Sequence, residues 1–455
     1  MERILTIDTP KNIGQKVMLA GWVNVRRDHG KIIFIDLRDR TGIIQVVFVP
    51  NKKNPEFQKL AETLRAEYVV QITGTINERP KNMINEKIPT GKVEMLAEEL
   101  VVLNSAQPLP IDLGAEKLDM GLETLLDMRP LTLKHARVRA IFKVQAEIIK
   151  TFHDFFSKNG FTEIQAPKIV AEATEGGSEV FPIEYFESKA YLAQSPQFYK
   201  QIMVGVFERV FTIGNVYRAE PHDTTRHLNE YTSLDIEMGF IKDHTDLMKI
   251  ETEWLKFLFA HLSANCRSEF ETLGVALPKA IGDILAITFP EAKKIARKIS
   301  GKKTDDLDLE PEEERILSEY AEKEFGSEFL FVTHYPTKKR PWYTMPDEKD
   351  AAYTKSFDLL FRGAEITTGG QRINNYDQLV QSIKSRGIDP DNFKFYLMAF
   401  QYGMPPEGGL ALGLERLTAK LLGLANVKEA TLFPRDMKRI DLLLHKEKII
   451  KEEKK

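Results

Sequence analysis

A small closed β-barrel of the OB type, followed by a larger α+β domain on an antiparallel sheet, is the fold class predicted by three features of this sequence. Five short apolar or alternating runs lie between residues 16 and 103, a proline-bearing stretch follows, and beyond it amphipathic helices mix with strand-like segments. The barrel strands are KVMLAGWVNV, KIIFIDLRD, GIIQVVFV, YVVQITGTI and KVEMLAEELVVL. Turn formers such as Asp28, His29, Gly30, Thr41 and Gly42 separate them, and one helix is expected over Glu56 to Arg65. Barrels of this kind commonly hold single-stranded nucleic acid.

NSAQPLPIDL, Asn104 to Leu113, reads as a linker because of its prolines, which sets a domain over 1–104, a hinge over 105–130 and a second domain over 131–455. A helix follows, with Val138, Ile141, Phe142, Gln145, Ile148, Ile149, Phe152, Phe155 and Phe156 at helical spacing, ending at Asn159-Gly160. Its stripe must cover a sheet or a partner subunit, and the pattern allows both. FTEIQAPKIV then reads as a strand leading into Pro167. The block near 263–320, with the acidic run TDDLDLEPEEE, reads as a peripheral insertion with a solvated face. HKEKIIKEEKK, His445 to Lys455, reads as a frayed charged helix, with RNA contact as the alternative.

The apolar share, 42%, suits a soluble globular chain. No apolar run of about 18 residues occurs and MERILTIDTP lacks a secretion-signal core, so a cytoplasmic protein with no membrane partner is expected. The single cysteine, Cys266, excludes an intrachain disulfide, and no cysteine cluster suggests structural zinc. A net charge of −3 means that any nucleic acid must be met by a local patch, since no global basic field exists.

The most informative stretch is GNVYRAEPHDTTRHLNEYTSLDIEMGF, Gly214 to Phe240. Arg218 and Arg226 flank a polar loop between two strand-like runs. In the second run Tyr231, Ser233, Asp235 and Glu237 alternate with Leu234, Ile236 and Met238. One face then packs on a core while the other offers acids and hydroxyls to a cavity suited to a polyanion beside a small zwitterion.

A barrel, then the helix with FTEIQAPKI, then VYRAE through LDIE, then GLALGLERL from Gly409, resembles in that order the class II aminoacyl-tRNA synthetases, over most of the chain. Within the class, ATEGGSEVF, AQSPQFYKQ, TTRHLNE and EITTGGQR are most similar to aspartyl-tRNA synthetases. The catalytic part resembles the archaeal type, while GWVNVRRDHG and IFIDLRDRTGIIQVVF resemble the bacterial barrel.

The resemblance implies activation of L-aspartate with ATP and transfer to tRNA(Asp). It leaves open whether tRNA(Asn) is also charged. The substrate carboxylate is its own nucleophile, so no protein nucleophile is required. Arg218 and Arg416 match the family's catalytic arginines. Glu220, Arg226, His227, Tyr231, Glu365 and Gly413 match further ATP-binding positions. Glu175, Ser195, Gln197, Lys200, Asp235 and Arg372 match the aspartate-binding ones, with Lys200 and Arg372 as the cations for the second carboxylate. Asp358, Glu365 and Thr368 match a Mg²⁺ site on the ATP phosphates. Arg27, Phe34 and Gln45 match anticodon readers.

Each residue also has a plainer reading. A lone arginine can be a surface ion pair, Tyr231 a half-buried strand aromatic, Phe34 a core position, and Asp358 with Glu365 a salt-bridged surface pair. A homodimer built on the long helix and Pro167 is implied by the resemblance. An asparagine–tRNA ligase and a non-catalytic RNA-binding paralogue are the alternatives.

Overall fold

Alternation of apolar residues closes the first unit into a barrel. In the computed structural model, which describes residues 1–50, 54–172, 179–302 and 304–444, the chain divides into units 1–119 and 120–455. Strands β1 (Lys16–His29), β2 (Ile32–Arg38), β3 (Ile43–Phe48), β4 (Val69–Glu78) and β5 (Val93–Asn104) close in the order β1-β2-β3-β5-β4. Leu19, Val23, Ile33, Ile35, Ile44, Val46, Ile72 and Met95 fill the interior. Gly21 is required, because a Cβ there would lie 2.2 Å from the Arg38 carbonyl oxygen. The helix Pro55–Thr63 starts where the Asn54 side chain accepts the Phe57 N–H, and it buries Phe57 and Ala61.

The second unit is built on an eight-stranded sheet. Its strands are β6 (Thr162–Glu163), β10 (Arg209–Tyr217), β11 (Glu230–Gly239), β12 (Ala286–Thr288), β13 (Phe329–Thr333), β14 (Ser356–Phe361), β15 (Ala364–Gln371) and β16 (Glu407–Gly413), ordered β12-β13-β14-β15-β16-β11-β10-β6. The interior pairs are antiparallel and only the edge pairs β12–β13 and β10–β6 are parallel. β7 (Ile169–Val170), β8 (Pro182–Tyr185) and β9 (Ser188–Leu192) form a separate small sheet in the order β7-β9-β8.

The long helix, Ala136–Lys158, turns Val144, Ile148, Phe152 and Phe156 into the core that includes Phe211, Leu234 and Trp254. The stripe thus covers the sheet of its own subunit. FTEIQAPKIV does not form one strand. β6 pairs with β10 and β7 pairs with β9, with Pro167, which lacks a backbone N–H, between them.

The acidic block also departs from its expectation. Phe289, Ala292, Leu309, Leu317 and Ala321 form a buried cluster with Leu330, Val332 and Leu360, and β12 extends the main sheet. The charged run hides this spacing because Glu312, Glu313 and Glu314 occupy the first turn of the helix Pro311–Phe325, where the helix dipole favours acids. Among the described residues no helix is long and apolar enough to cross a membrane. The His445–Lys455 tail and Glu175 lie outside the described residues.

Candidate active site

β11 positions the site through its period of two. Leu234, Ile236 and Met238 face the helices, while Tyr231, Ser233 and Asp235 line a cavity of about 740 Å³ on the other face. The cavity also collects Ser195, Gln197, Lys200, Arg218, Glu220, Arg226, His227, Asp358, Glu365, Thr368, Arg372, Gly413 and Arg416. Every expected active-site residue among those described is therefore in one place.

At one end lie the arginines. Arg218 follows β10 and approaches Glu220 Oε1 at 3.8 Å. His227 Nε2 sits 3.6 Å from Glu220 Oε2, its Nδ1 is 2.6 Å from Thr224 Oγ1, and burial lowers its pKa. Arg226 pairs with Glu314 at 2.6 Å. Arg416, just beyond the turn at Gly413, donates Nη1 to the Glu365 carbonyl at 2.8 Å. Thr368 Oγ1 donates to Glu365 Oε1 at 3.0 Å.

Asp358 is buried at the cavity wall. Arg340, stacked over the Tyr335 ring, donates to its Oδ1 at 2.6 Å. Burial, together with the nearby Glu365 charge, pushes the Asp358 carboxyl up to about 6 against the pull of Arg340. Among the described residues no group of three or more His, Cys, Asp or Glu side chains is arranged to hold a metal ion alone.

At the other end Lys200, only 1% exposed, places Nζ 3.0 Å from Asp235 Oδ1, 3.1 Å from Glu237 Oε2 and 3.1 Å from the Leu410 carbonyl. Arg372 donates Nε to Glu237 Oε1 at 2.7 Å and Nη2 to the Gly409 carbonyl at 3.0 Å. The two cations that the resemblance assigns to the second carboxylate thus already hold carboxylates of the protein itself. A buried charge without a partner is too costly, so the protein supplies Asp235 and Glu237 as resident counter-ions.

Burial works to raise Glu237, and Arg372 and Lys200 overcome it and hold the carboxylate below its ordinary range. Behind them burial and the Glu237 charge hold the Glu407 carboxyl well above that range, and Gln201 links it to Gln197 through bonds of 2.7 and 2.8 Å. Gly409 leaves the necessary room, since a Cβ would come within 1.9 Å of Glu237 Oε2.

Sequence pattern did not single out Arg340, Glu314, Glu407 or Glu415, which accepts the Thr232 N–H at 3.0 Å. Each acts through a partner far away in the chain, and no periodicity reports such a pairing. Glu237 was legible, since it shares the Asp235 face of β11.

On the barrel, Phe34 is half-buried on the outer side of β2, opposite Arg27, and packs edge-on against His29 at 5.7 Å. It is therefore not a core residue. Arg27 makes a fork to Asp36 at 2.9 and 2.7 Å, and Gln45 donates to Glu94 at 2.8 Å.

Residues 121–437 match the family of tRNA synthetases class II (D, K and N), and residues 17–103 match the OB-fold nucleic acid binding domain. The chain belongs to these class II tRNA synthetases. It is 46% identical over 439 residues to the aspartate–tRNA(Asp/Asn) ligase of Thermus thermophilus, covering 96% of this chain and 99% of that one. With the aspartate–tRNA(Asp) ligase of Pyrococcus abyssi it shares 41% identity over 94% of this chain and 96% of the relative. The crystal structure of asparaginyl-tRNA synthetase from Pyrococcus horikoshii complexed with asparaginyl-adenylate matches with a TM-score of 0.88 at 32% identity, covering 97% of this chain and 99% of that one. Likeness in sequence is thus greater to the aspartate ligases, which disfavours the asparagine alternative.

Proposed function

We propose that this chain is an aspartate–tRNA ligase that forms aspartyl-adenylate from L-aspartate and ATP and passes the aspartyl group to the 3′ end of tRNA(Asp), with tRNA(Asn) as a second substrate. The observation that carries this reading is a single cavity with Arg218, Arg226 and Arg416 at one end and the buried Lys200–Arg372 cluster at the other. Such a cavity holds a triphosphate and an acidic amino acid side by side. In-line attack of the substrate α-carboxylate on the α-phosphorus then needs only alignment and neutralised charge.

In this scheme Arg218 bridges the α-phosphate and the attacking carboxylate, and its planar fork suits both. Arg226 and Arg416 take the γ-phosphate end. Glu220 accepts the adenine amino group, Tyr231 stacks on the base, and His227 and Gly413 border the nucleotide. Asp235, oriented by the Ser233 hydroxyl, takes the substrate ammonium with Ser195 and Gln197, and Glu175 is a further aspartate-binding residue. Arg372 Nη1, the guanidinium nitrogen engaged by neither Glu237 nor Gly409, is the donor for the side-chain carboxylate.

Asp358 and Glu365, with Thr368, would hold Mg²⁺. The donors fit, because they are hard oxygens whose mutual repulsion a divalent cation relieves, with substrate phosphates completing the shell. When bound, the ion neutralises charge on the triphosphate.

The decisive experiment is aminoacylation with labelled aspartate on transcripts of tRNA(Asp) and tRNA(Asn) side by side. Charging of both supports the reading in full, and charging of tRNA(Asp) alone restricts it. Charging of neither would return the chain to a non-catalytic RNA-binding role.

The barrel, as domain 1–104 ahead of a 105–130 hinge and the catalytic domain from 131, would hold the anticodon through Arg27, Phe34 and Gln45. Phe34→Ala is expected to raise the KM for tRNA about tenfold by loss of base stacking, leaving tRNA-independent ATP–diphosphate exchange unchanged. A homodimer in the cytoplasm completes the proposal. Pro167 and Ile169 are exposed, which leaves them accessible to a second copy. Elution near twice 52.1 kDa is expected, and a monomer at micromolar concentration would refute the dimer.

A further inference from the structure

Arg226 belongs to the loop between β10 and β11, yet its guanidinium is held from elsewhere in the chain. Its Nη2 donates at 2.6 Å to Oε2 of Glu314, on the helix Pro311–Phe325. Glu314 is 6% exposed. The same Oε2 accepts the backbone N–H of Glu365 on β15 at 3.3 Å, and Arg416 donates to the carbonyl of that residue at 2.8 Å. One buried carboxylate therefore joins the loop arginine to the strand that already anchors the other arginine at this end of the cavity.

Helix capping does not account for Glu314. The reciprocal cap of this helix is made by Glu310 and Glu313, and Glu313 also holds Lys293 at 2.7 Å. An arginine on a loop must give up rotamer freedom when it meets a phosphate, and a partner that fixes it beforehand removes that cost. Arginine has five N–H donors in a rigid fork, so the bond to Glu314 leaves others for a ligand.

Resting on the ligase reading above, we propose that Glu314 is a positioning residue for the terminal phosphates of ATP, fixing Arg226 at the cavity wall before the nucleotide arrives. The class of ligand is a triphosphate, or the diphosphate that leaves. Glu314 reaches the phosphates through Arg226, and its bond to the Glu365 N–H ties that arginine to β15.

The test is aspartate-dependent ATP–diphosphate exchange by the full chain and by Glu314→Ala, Glu314→Gln, Arg226→Ala and the Glu314→Ala/Arg226→Ala double variant. Glu314→Ala is expected to raise the KM for ATP about tenfold, the scale of one charge-assisted contact, with the KM for aspartate within about twofold of the parent. Glu314→Gln, which keeps an acceptor oxygen of the same reach, loses about threefold. On the Arg226→Ala background the loss of Glu314 adds nothing, which a merely structural role would not produce. An unchanged KM for ATP in Glu314→Ala, or a full additional loss on the Arg226→Ala background, overturns the proposal while leaving the ligase reading intact. A parent protein that performs no exchange overturns that reading and the proposal with it.

Discussion

Arg218→Ala is expected to cut aspartate-dependent ATP–diphosphate exchange about a hundredfold to a thousandfold, the scale of losing a charge-stabilising group at a reacting centre, while tRNA still binds. The backbone at this position does not depend on the side chain. The Arg218 N–H donates to the Asn229 carbonyl at 2.9 Å, and Asn229 Nδ2 returns a bond to the Arg218 carbonyl at 2.7 Å. The strand end therefore survives truncation, and the loss is one of chemistry. Arg218→Lys keeps the charge but loses the bidentate fork, so it should fall between the parent and the alanine variant. Filter binding of tRNA beside the exchange assay checks both parts. Exchange within tenfold of the parent for Arg218→Ala would remove this arginine from the mechanism.

Much of the fold was legible because it rests on local patterning. The five barrel strands alternate, the long helix carries a mostly apolar stripe, and β11 displays Asp235 and Glu237 on one face. What was not legible depends on pairing between distant segments. TDDLDLEPEEE reads as solvated charge by composition, yet Glu314 is spent on Arg226, a partner 88 residues away in the chain. FTEIQAPKIV has strand composition throughout, but Pro167 between β6 and β7 hands its two ends to different sheets. The site residues themselves followed from motif resemblance, whereas their charge balance did not. That Lys200 and Arg372 already hold Glu237 is a property of packing the helix Gln197–Phe207, which carries Lys200, and the end of β15, which leads into Arg372, around β11, and no sequence period records it.

That packing makes Lys200→Met the second variant with a large effect, and one that acts on stability as well as activity. Methionine keeps the length of the side chain and removes Nζ, leaving Asp235 and Glu237, each almost wholly buried, with Arg372 as the remaining cation of the cluster. Breaking a buried pair from one side costs about 3–5 kcal/mol, because the desolvation of the surviving charge is no longer offset. A lower urea midpoint is therefore expected at unchanged slope, together with a sharply raised KM for aspartate. Adding Asp235→Asn removes one of the stranded carboxylates and should restore part of the stability without restoring activity, since Asp235 is itself proposed to hold the substrate ammonium. If Lys200→Met unfolds within about 1 kcal/mol of the parent, a loss typical of an exposed ion pair, the cluster is not the closed, dry charge network that its geometry describes.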